Sequence, residues 1–211
     1  MAMNVKCNGW FFLAMVAMAS LWTSCSSREW LEKANAEGRI TARYQVDKKS
    51  GLRMGTFKSY YEDGQVFEES QYVQDTLDGI RRLYHPNGML MIEETYQKGL
   101  FEGPYKSWYA DGTPESEGQY ADNTMSGLWK RFYPNGQLYQ ELTFKDNLEN
   151  GPFRTWHPNG KLMEEGGYLD GDNLHGTFKI YDENGVHVRT MEYERGRGKV
   201  IWTLEGAMVP E

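Results

Sequence analysis

Cysteine is nearly missing from the body of this 211-residue chain: Cys7 and Cys25 are its only two, and both fall within the first 25 residues. Disulfide frameworks, cysteine-ligated zinc and thiol catalysis in the remaining sequence are thereby excluded. Histidine is almost as scarce, with four copies. His85 and His157 hold equivalent places in a repeat, three units or roughly 30 Å apart at strand spacing, so they do not share a metal. His175 and His187 have no ligand-type neighbours and read as surface residues. No G-x-S-x-G, H-E-x-x-H or Walker glycine loop occurs, and Gly196-Arg197-Gly198 lacks the third glycine and the helix a nucleotide loop needs. Basic residues are the minority, 23 against 30 acidic, for a net charge of −7. Such a chain is repelled by phosphate backbones and anionic lipid surfaces, so no nucleic-acid partner is expected. No catalytic residue, cofactor or metal is assigned.

Long apolar runs are also absent, apart from Trp10 to Ala19 behind the single cation Lys6. A short basic start, an apolar stretch and small residues describe a secretory signal peptide, here residues 1–24. The stretch is shorter than the roughly 20 residues a spanning helix needs. Leu21-Trp22-Thr23-Ser24-Cys25 resembles the lipobox of bacterial lipoproteins, in which the cysteine becomes the acylated first residue. The lipobox places Leu three residues before the cysteine, where this chain has Trp22, with Leu21 one further back. A cut after Ala17-Met18-Ala19 is the alternative, leaving Cys25 as an ordinary thiol. The resemblance implies lipidation at Cys25 and a membrane-anchored lipoprotein of the bacterial envelope, the alternative being a soluble periplasmic or secreted protein.

What the chain has in abundance is glycine, 23 residues, and aromatics, 14% of the total. The two are ordered. Gly recurs at positions 55, 79, 103, 127, 151 and 176, every 24 residues with one step of 25. The copies open GTFKSYYEDG, GIRRLYHPNG, GPYKSWYADG, GLWKRFYPNG, GPFRTWHPNG and GTFKIYDENG, and each runs on to a closing aromatic. Each contains Asp-Gly or Asn-Gly between aromatic and β-branched segments, the strongest short-range hairpin signal. One unit is therefore one β-hairpin. Six stacked units predict an all-β, elongated antiparallel meander, about 60 Å across at strand spacing.

Two turn geometries compete. A two-residue turn at Asp63-Gly64 sets Lys58 opposite Glu69, and by the same rule Arg82 opposite Glu93, Lys106 opposite Glu117, Lys130 opposite Glu141 and Arg154 opposite Glu165. The sixth copy breaks the pattern, with Lys179 facing Thr190. That register also sets each opening Gly against a closing aromatic, from Gly55 with Tyr72 onward. Pro86, Pro134 and Pro158 argue instead for a type I turn with a three-residue loop and a glycine bulge, which shifts the pairing by one. The two-residue register accounts for both the ion pairs and the Gly–aromatic pairs and is the one expected.

Alternation then defines two faces. One carries Phe57, Tyr105, Trp129, Phe153 and Phe178, with Tyr61, Tyr109, Tyr133, Val66, Leu90, Leu138 and Leu162. The other carries the ion pairs and a central stripe of Tyr60, Tyr84, Trp108, Phe132, Trp156 and Tyr181. A lone hairpin cannot bury either face, whereas stacked neighbours can.

The pattern G-x-[aromatic]-x-x-[aromatic]-[Tyr/His]-x-[Asn/Asp]-G resembles the MORN (membrane occupation and recognition nexus) repeat, in its bacterial variant, over residues 55 to about 198. The resemblance implies a non-enzymatic scaffold. Some bacterial members are classed as antitoxins of toxin–antitoxin pairs, and others are exported proteins or lipoproteins. The resulting division is a signal peptide (1–24), a linker after the lipidated cysteine (25–38), an N-terminal cap with a strand near 39–46 (39–54), six hairpins (55–198) and a C-terminal cap strand and tail (199–211).

Few residues remain as candidates for chemistry. The repeat glutamates each have a basic partner by register, and Asp170-Gly171-Asp172-Asn173 lacks the later ligands of a calcium loop. The stripe Tyr60, Tyr84, Trp108, Phe132, Trp156 and Tyr181 is the candidate binding surface for a protein partner or an envelope polysaccharide. The competing reading is that these rings pack on one another along the sheet.

Overall fold

A computed structural model describes residues 27–205. The segment expected to be a signal peptide, the expected lipidation site Cys25 and the residues after 205 lie outside the described residues.

All described regular structure is β. The strands fall into hairpins: β1 (Arg28–Ala34) with β2 (Ile40–Asp47), and β3 (Arg53–Tyr60) with β4 (Val66–Val73). After a two-residue strand, β5 (Thr76–Leu77), come β6 (Gly79–Tyr84) with β7 (Leu90–Gln97), and β8 (Leu100–Trp108) with β9 (Pro114–Ala121). Next are β10 (Thr124–Phe132) with β11 (Leu138–Lys145), and β12 (Leu148–Trp156) with β13 (Leu162–Tyr168). The series ends with β14 (Gly176–Tyr181), β15 (His187–Glu194) and β16 (Arg197–Thr203). They form one antiparallel sheet in chain order, with β5 off the path on β4. At about 4.8 Å per strand the sheet is roughly 70 Å wide, an elongated meander.

The N-terminal region is more regular than its sequence suggests. Arg28–Ala34, inside the segment read as a linker, is a strand paired with β2, with Glu32 opposite Arg43. Its turn uses the same hydrogen bonds as the repeat tips, Gly38 N–H to Asn35 C=O and Asn35 N–H to Arg39 C=O. The region is thus a full hairpin, hidden because Asn35-Ala36-Glu37-Gly38 carries no Asn-Gly or Asp-Gly pair.

The tips combine the two expected geometries. Gly64 N–H bonds to Tyr61 C=O, and Tyr61 N–H to Gln65 C=O, closing a three-residue loop with Gly64 at φ 87°. That is the proline-favoured turn, and Pro86, Pro134 and Pro158 sit at its i+1 position. Yet Lys58 does lie opposite Glu69 and Gly55 opposite Tyr72. A bulge between Ser59 and Tyr60 reconciles them: Tyr60 pairs with Val66, and Phe67 is the extra residue that restores the register. The bulge recurs at each tip, at Tyr84/Leu90, Trp108/Pro114, Phe132/Leu138, Trp156/Leu162 and Tyr181/His187. The two-residue turns fall between hairpins instead, where Asp122-Asn123 and Asp146-Asn147 both take positive φ, as a type I′ turn requires.

One consequence corrects the face assignment. A one-residue slip moves a side chain to the other face. Val66, Leu90, Leu138 and Leu162 therefore lie beside the stripe, not with Phe57. Phe67 and Tyr139 take their place, with ring centroids 5.1 Å from Tyr61 and 5.0 Å from Tyr133.

The face carrying Phe57, Tyr105, Trp129, Phe153 and Phe178 is the packed one. Its core is Trp129, Leu142, Phe144, Phe153 and Phe178, joined by Tyr105, Tyr120, Tyr168 and Tyr193. Rings meet edge-on or tilted from hairpin to hairpin, with Tyr120–Trp129 at 5.3 Å and Phe153–Phe178 at 5.9 Å. Gly118 and Gly166 make room: a Cβ at Gly118 meets the Trp129 ring at 2.1 Å, and one at Gly166 meets Phe178 at 2.8 Å.

Candidate functional site

The opposite face is built from three rows running across the strands. The first is a charge ladder. Within hairpins the expected registers hold: Lys58 opposite Glu69, Arg82 opposite Glu93, Lys106 opposite Glu117, Lys130 opposite Glu141, Arg154 opposite Glu165, and Lys179 opposite Thr190. Between hairpins the same residues meet again, Glu69 with Arg82, Glu93 with Lys106, Glu117 with Lys130, Glu141 with Arg154 and Glu165 with Lys179. The pairs thus merge into one continuous line of alternating sign. The ion pairs that close are Lys58–Glu69, Arg82–Glu93, Arg154–Glu165, Lys130–Glu117 and Lys179–Glu165, so Glu117 bonds to the neighbouring hairpin rather than its own. The hydrogen bond from Lys58 holds Glu69 below the usual carboxylate range and raises Lys58 in turn.

The second row is the stripe. All six of its side chains, Tyr60, Tyr84, Trp108, Phe132, Trp156 and Tyr181, are half-buried on the ladder face. They do not stack on one another. The bulge sets Val66, Leu90, Pro114, Leu138, Leu162 and His187 directly across from them, so rings alternate with mostly aliphatic side chains along the row. Two rings are tied to the ladder, Tyr84 donating to Glu69 at 3.3 Å and Tyr181 to Glu165 at 3.0 Å. Burial, reinforced by those carboxylates, raises both phenols. No hydrogen bond or ring contact engages the side chains of Tyr60, Trp108, Phe132 or Trp156 among the described residues. At its last position Tyr181 leans on His187, 5.3 Å away, and His187 stacks on Trp202 at 4.5 Å. A shallow depression lined by Arg39, Ile40, Arg43 and Tyr60 ends the row on the other side.

The third row comprises Thr56, Ile80, Pro104, Leu128, Pro152 and Thr177, of which Ile80 and Leu128 are 40% and 49% exposed. Gln71, Thr95, Gln119 and Thr143 stand across from Thr56, Ile80, Pro104 and Leu128, so this row is mixed, and the charge ladder separates it from the stripe.

The backbone beneath the stripe is stitched from hairpin to hairpin. Tyr61 donates to Tyr84 C=O at 2.7 Å, Tyr109 to Phe132 C=O at 2.9 Å and Tyr133 to Trp156 C=O at 2.7 Å. His85 and His157, equivalent positions in the repeat, do the same job: their Nε2 atoms lie 2.9 Å from Trp108 C=O and 3.1 Å from Tyr181 C=O. Each strap holds the main chain of the next hairpin's stripe residue. Their recurrence at the [Tyr/His] position was visible in sequence, but the acceptor was not.

One cluster was missed altogether. Arg81 occupies the position of Phe57 and Tyr105 on the packed face, and bonds to Glu68 at 2.9 Å and Glu94 at 3.3 Å. Burial works against its charge, and the two carboxylates outweigh that and raise its pKa. Tyr96 donates to Glu94, and burial beside that carboxylate pushes its phenol up to about 12. The sequence signal was the lone cation in a column of aromatics. Among the described residues, no cluster of three or more His, Cys, Asp or Glu is arranged to hold a metal ion.

The chain has no match among curated proteins. Among solved structures, a chain of a complex described as "Crystal Structure of TcdB2-TccC3-Cdc42" matches over 81% of this chain and 13% of its own length, with 13% identity and a TM-score of 0.19. This chain thus spans about an eighth of that one, and so low a score carries no argument. The family comparison is specific. The MORN repeat variant matches six times, at residues 55–74, 77–98, 101–122, 125–146, 149–170 and 174–195, one match for each hairpin unit from β3 to β15. This chain belongs to the MORN repeat variant family.

Proposed function

We propose that the protein is a non-enzymatic scaffold at the bacterial cell envelope that binds a protein partner along its ladder face, through Tyr60, Tyr84, Trp108, Phe132, Trp156 and Tyr181. The observation that carries this reading is the division of labour between the faces. The packed face satisfies its own rings, whereas the stripe leaves four of its six without a ring or hydrogen-bond partner among the described residues. Half-buried rings on a rigid sheet lose little entropy when a partner covers them. The stripe is also backed by straps that fix the backbone of its five positions from Tyr84 to Tyr181, as a preorganised surface requires.

Placement at the envelope rests on the leader at 1–24 and on the lipobox-like Leu21 to Cys25. Replacing Cys25 by Ser is expected to release the protein from membranes, and membrane retention of that variant would refute acylation as the anchor. An antitoxin-like role is the alternative that the family allows, and the leader weighs against neutralising a cytoplasmic toxin.

The test of the binding reading is capture from envelope extracts by the wild type and by Trp108→Ala/Trp156→Ala. A folded double variant that loses the captured partner supports the stripe as binding surface. Unchanged capture by a folded double variant refutes it.

A further inference from the structure

Resting on that reading, we propose that the segment recognised by the central stripe, Trp108, Phe132 and Trp156, is a proline-rich stretch of the partner in the polyproline II conformation. The argument is one of pitch. Successive rings belong to successive hairpins, two strands apart, or about 9.6 Å. A polyproline II helix repeats every three residues at 3.1 Å each, or about 9.3 Å, so one of its edges meets every ring in step. Trp108 to Trp156 spans two such steps, the length of six residues of that helix. An extended β segment presents the same side every two residues, about 6.6 Å, and an α-helix every 5.4 Å, and neither keeps step with the rings.

The relief of the stripe suits such a ligand. Trp108, Phe132 and Trp156 stand with Pro114 and Leu138 between them, which gives a row of rings spaced by apolar side chains. Proline-rich ligands dock into aromatic-lined grooves because their shape is preformed. The indole N–H groups of Trp108 and Trp156 have no hydrogen-bond partner among the described residues and are not fully buried, which leaves both as available donors. A polyproline II chain makes no internal hydrogen bonds, and its carbonyls are free to accept. The ladder beside the rings, Lys106, Glu117, Lys130, Glu141, Arg154 and Glu165, carries three charges of each sign and favours an uncharged ligand over an acidic or basic one.

Titrating the full chain with a short oligoproline-based peptide, followed by intrinsic tryptophan fluorescence and calorimetry, tests this directly. A neutral β-1,4-linked N-acetylglucosamine oligomer and a helical peptide of similar length serve as comparators. Saturable peptide binding is expected, weakened at least tenfold in Trp108→Ala/Trp156→Ala and unchanged in Leu148→Ser, which lies outside the stripe. If the alanine pair does not fold, Trp108→Phe/Trp156→Phe keeps the rings, removes the donors and is expected to weaken binding several-fold. Absence of peptide binding, equal binding by folded variants, or preference for the sugar oligomer or the helical peptide overturns the proposal. Stripe-dependent capture from extracts without peptide binding leaves the binding surface standing and removes only the polyproline assignment.

Discussion

The packed face is made in two different ways along the sheet. From β8 to β15 it is a run of touching rings and aliphatics: Tyr105, Trp129, Leu142, Phe153 and Phe178, with glycines cut away beneath the largest. In β6 and β7 the same column is ionic, with Arg81 between Glu68 and Glu94, and Glu94 only 8% exposed. The repeat therefore tolerates opposite chemistries at one position provided that neighbouring hairpins complement it. Ring volume is matched by glycine, and a guanidinium is matched by two carboxylates. The lesson is that the unit of design is a position together with its neighbours on the adjoining strands.

Removing either solution should be costly, and the aromatic one most. Trp129→Ala empties the centre of the ring run and is expected to destabilise by about 3–5 kcal/mol. Arg81→Ala strands two carboxylates and is expected to cost about 3 kcal/mol, towards the low end for a broken buried pair because the Arg81 side chain is 27% exposed. Importing the first repeat's solution, as Arg81→Phe with Glu68→Ser and Glu94→Ser, is expected to recover most of that loss. Urea midpoints of the four proteins check the ordering, and a triple variant less stable than Arg81→Ala would break the comparison. Gly118→Ala drives a methyl into the Trp129 ring and is expected to cost about 1–3 kcal/mol. Gly64 has open space around its Cβ position, so Gly64→Asn, which tolerates positive φ, should cost less. Smaller still is His85→Phe, which removes one strap for about 1 kcal/mol, whereas His85→Tyr supplies the hydroxyl used at Tyr61 and Tyr109 and should be nearly silent.

The smallest effect expected is the pH dependence of Lys58–Glu69. Glu69 titrates lower in the folded chain than its ordinary 4.5, so its contribution is present above that pH and fades as pH falls through the lowered value. Lys58 titrates above its ordinary 10.5, so its share is complete below that pH and fades as pH rises through the raised value. Glu69→Gln should flatten the acid limb of denaturant midpoint against pH.

The repeat, the hairpin units and both sets of cross-strand pairs were legible in the sequence because a period of 24 fixes which residues share a row. The tip was not. Ion pairs argued for one register and prolines for another, and a bulge that satisfies both leaves no trace of its own in composition. That unread residue also hid the true neighbours of the stripe, since Val66, Leu90, Leu138 and Leu162 change faces with it. The first hairpin escaped notice for want of an Asn-Gly pair. The expected register already sets Arg81 opposite Glu94, but Glu68 belongs to the preceding hairpin, and only the order of the hairpins in the sheet brings it to the same guanidinium.

The central claim is that one face is core and the other is free to bind. Thermal unfolding of Trp108→Ala/Trp156→Ala beside Trp129→Ala tests it most directly. About 1 kcal/mol shifts the midpoint of a chain this size by roughly 2–4 °C. The account predicts that the single core substitution lowers the midpoint by about 10 °C, while the double stripe substitution lowers it by less than half as much. A double variant that melts as early as Trp129→Ala, or earlier, would contradict the account, because the stripe would then be core.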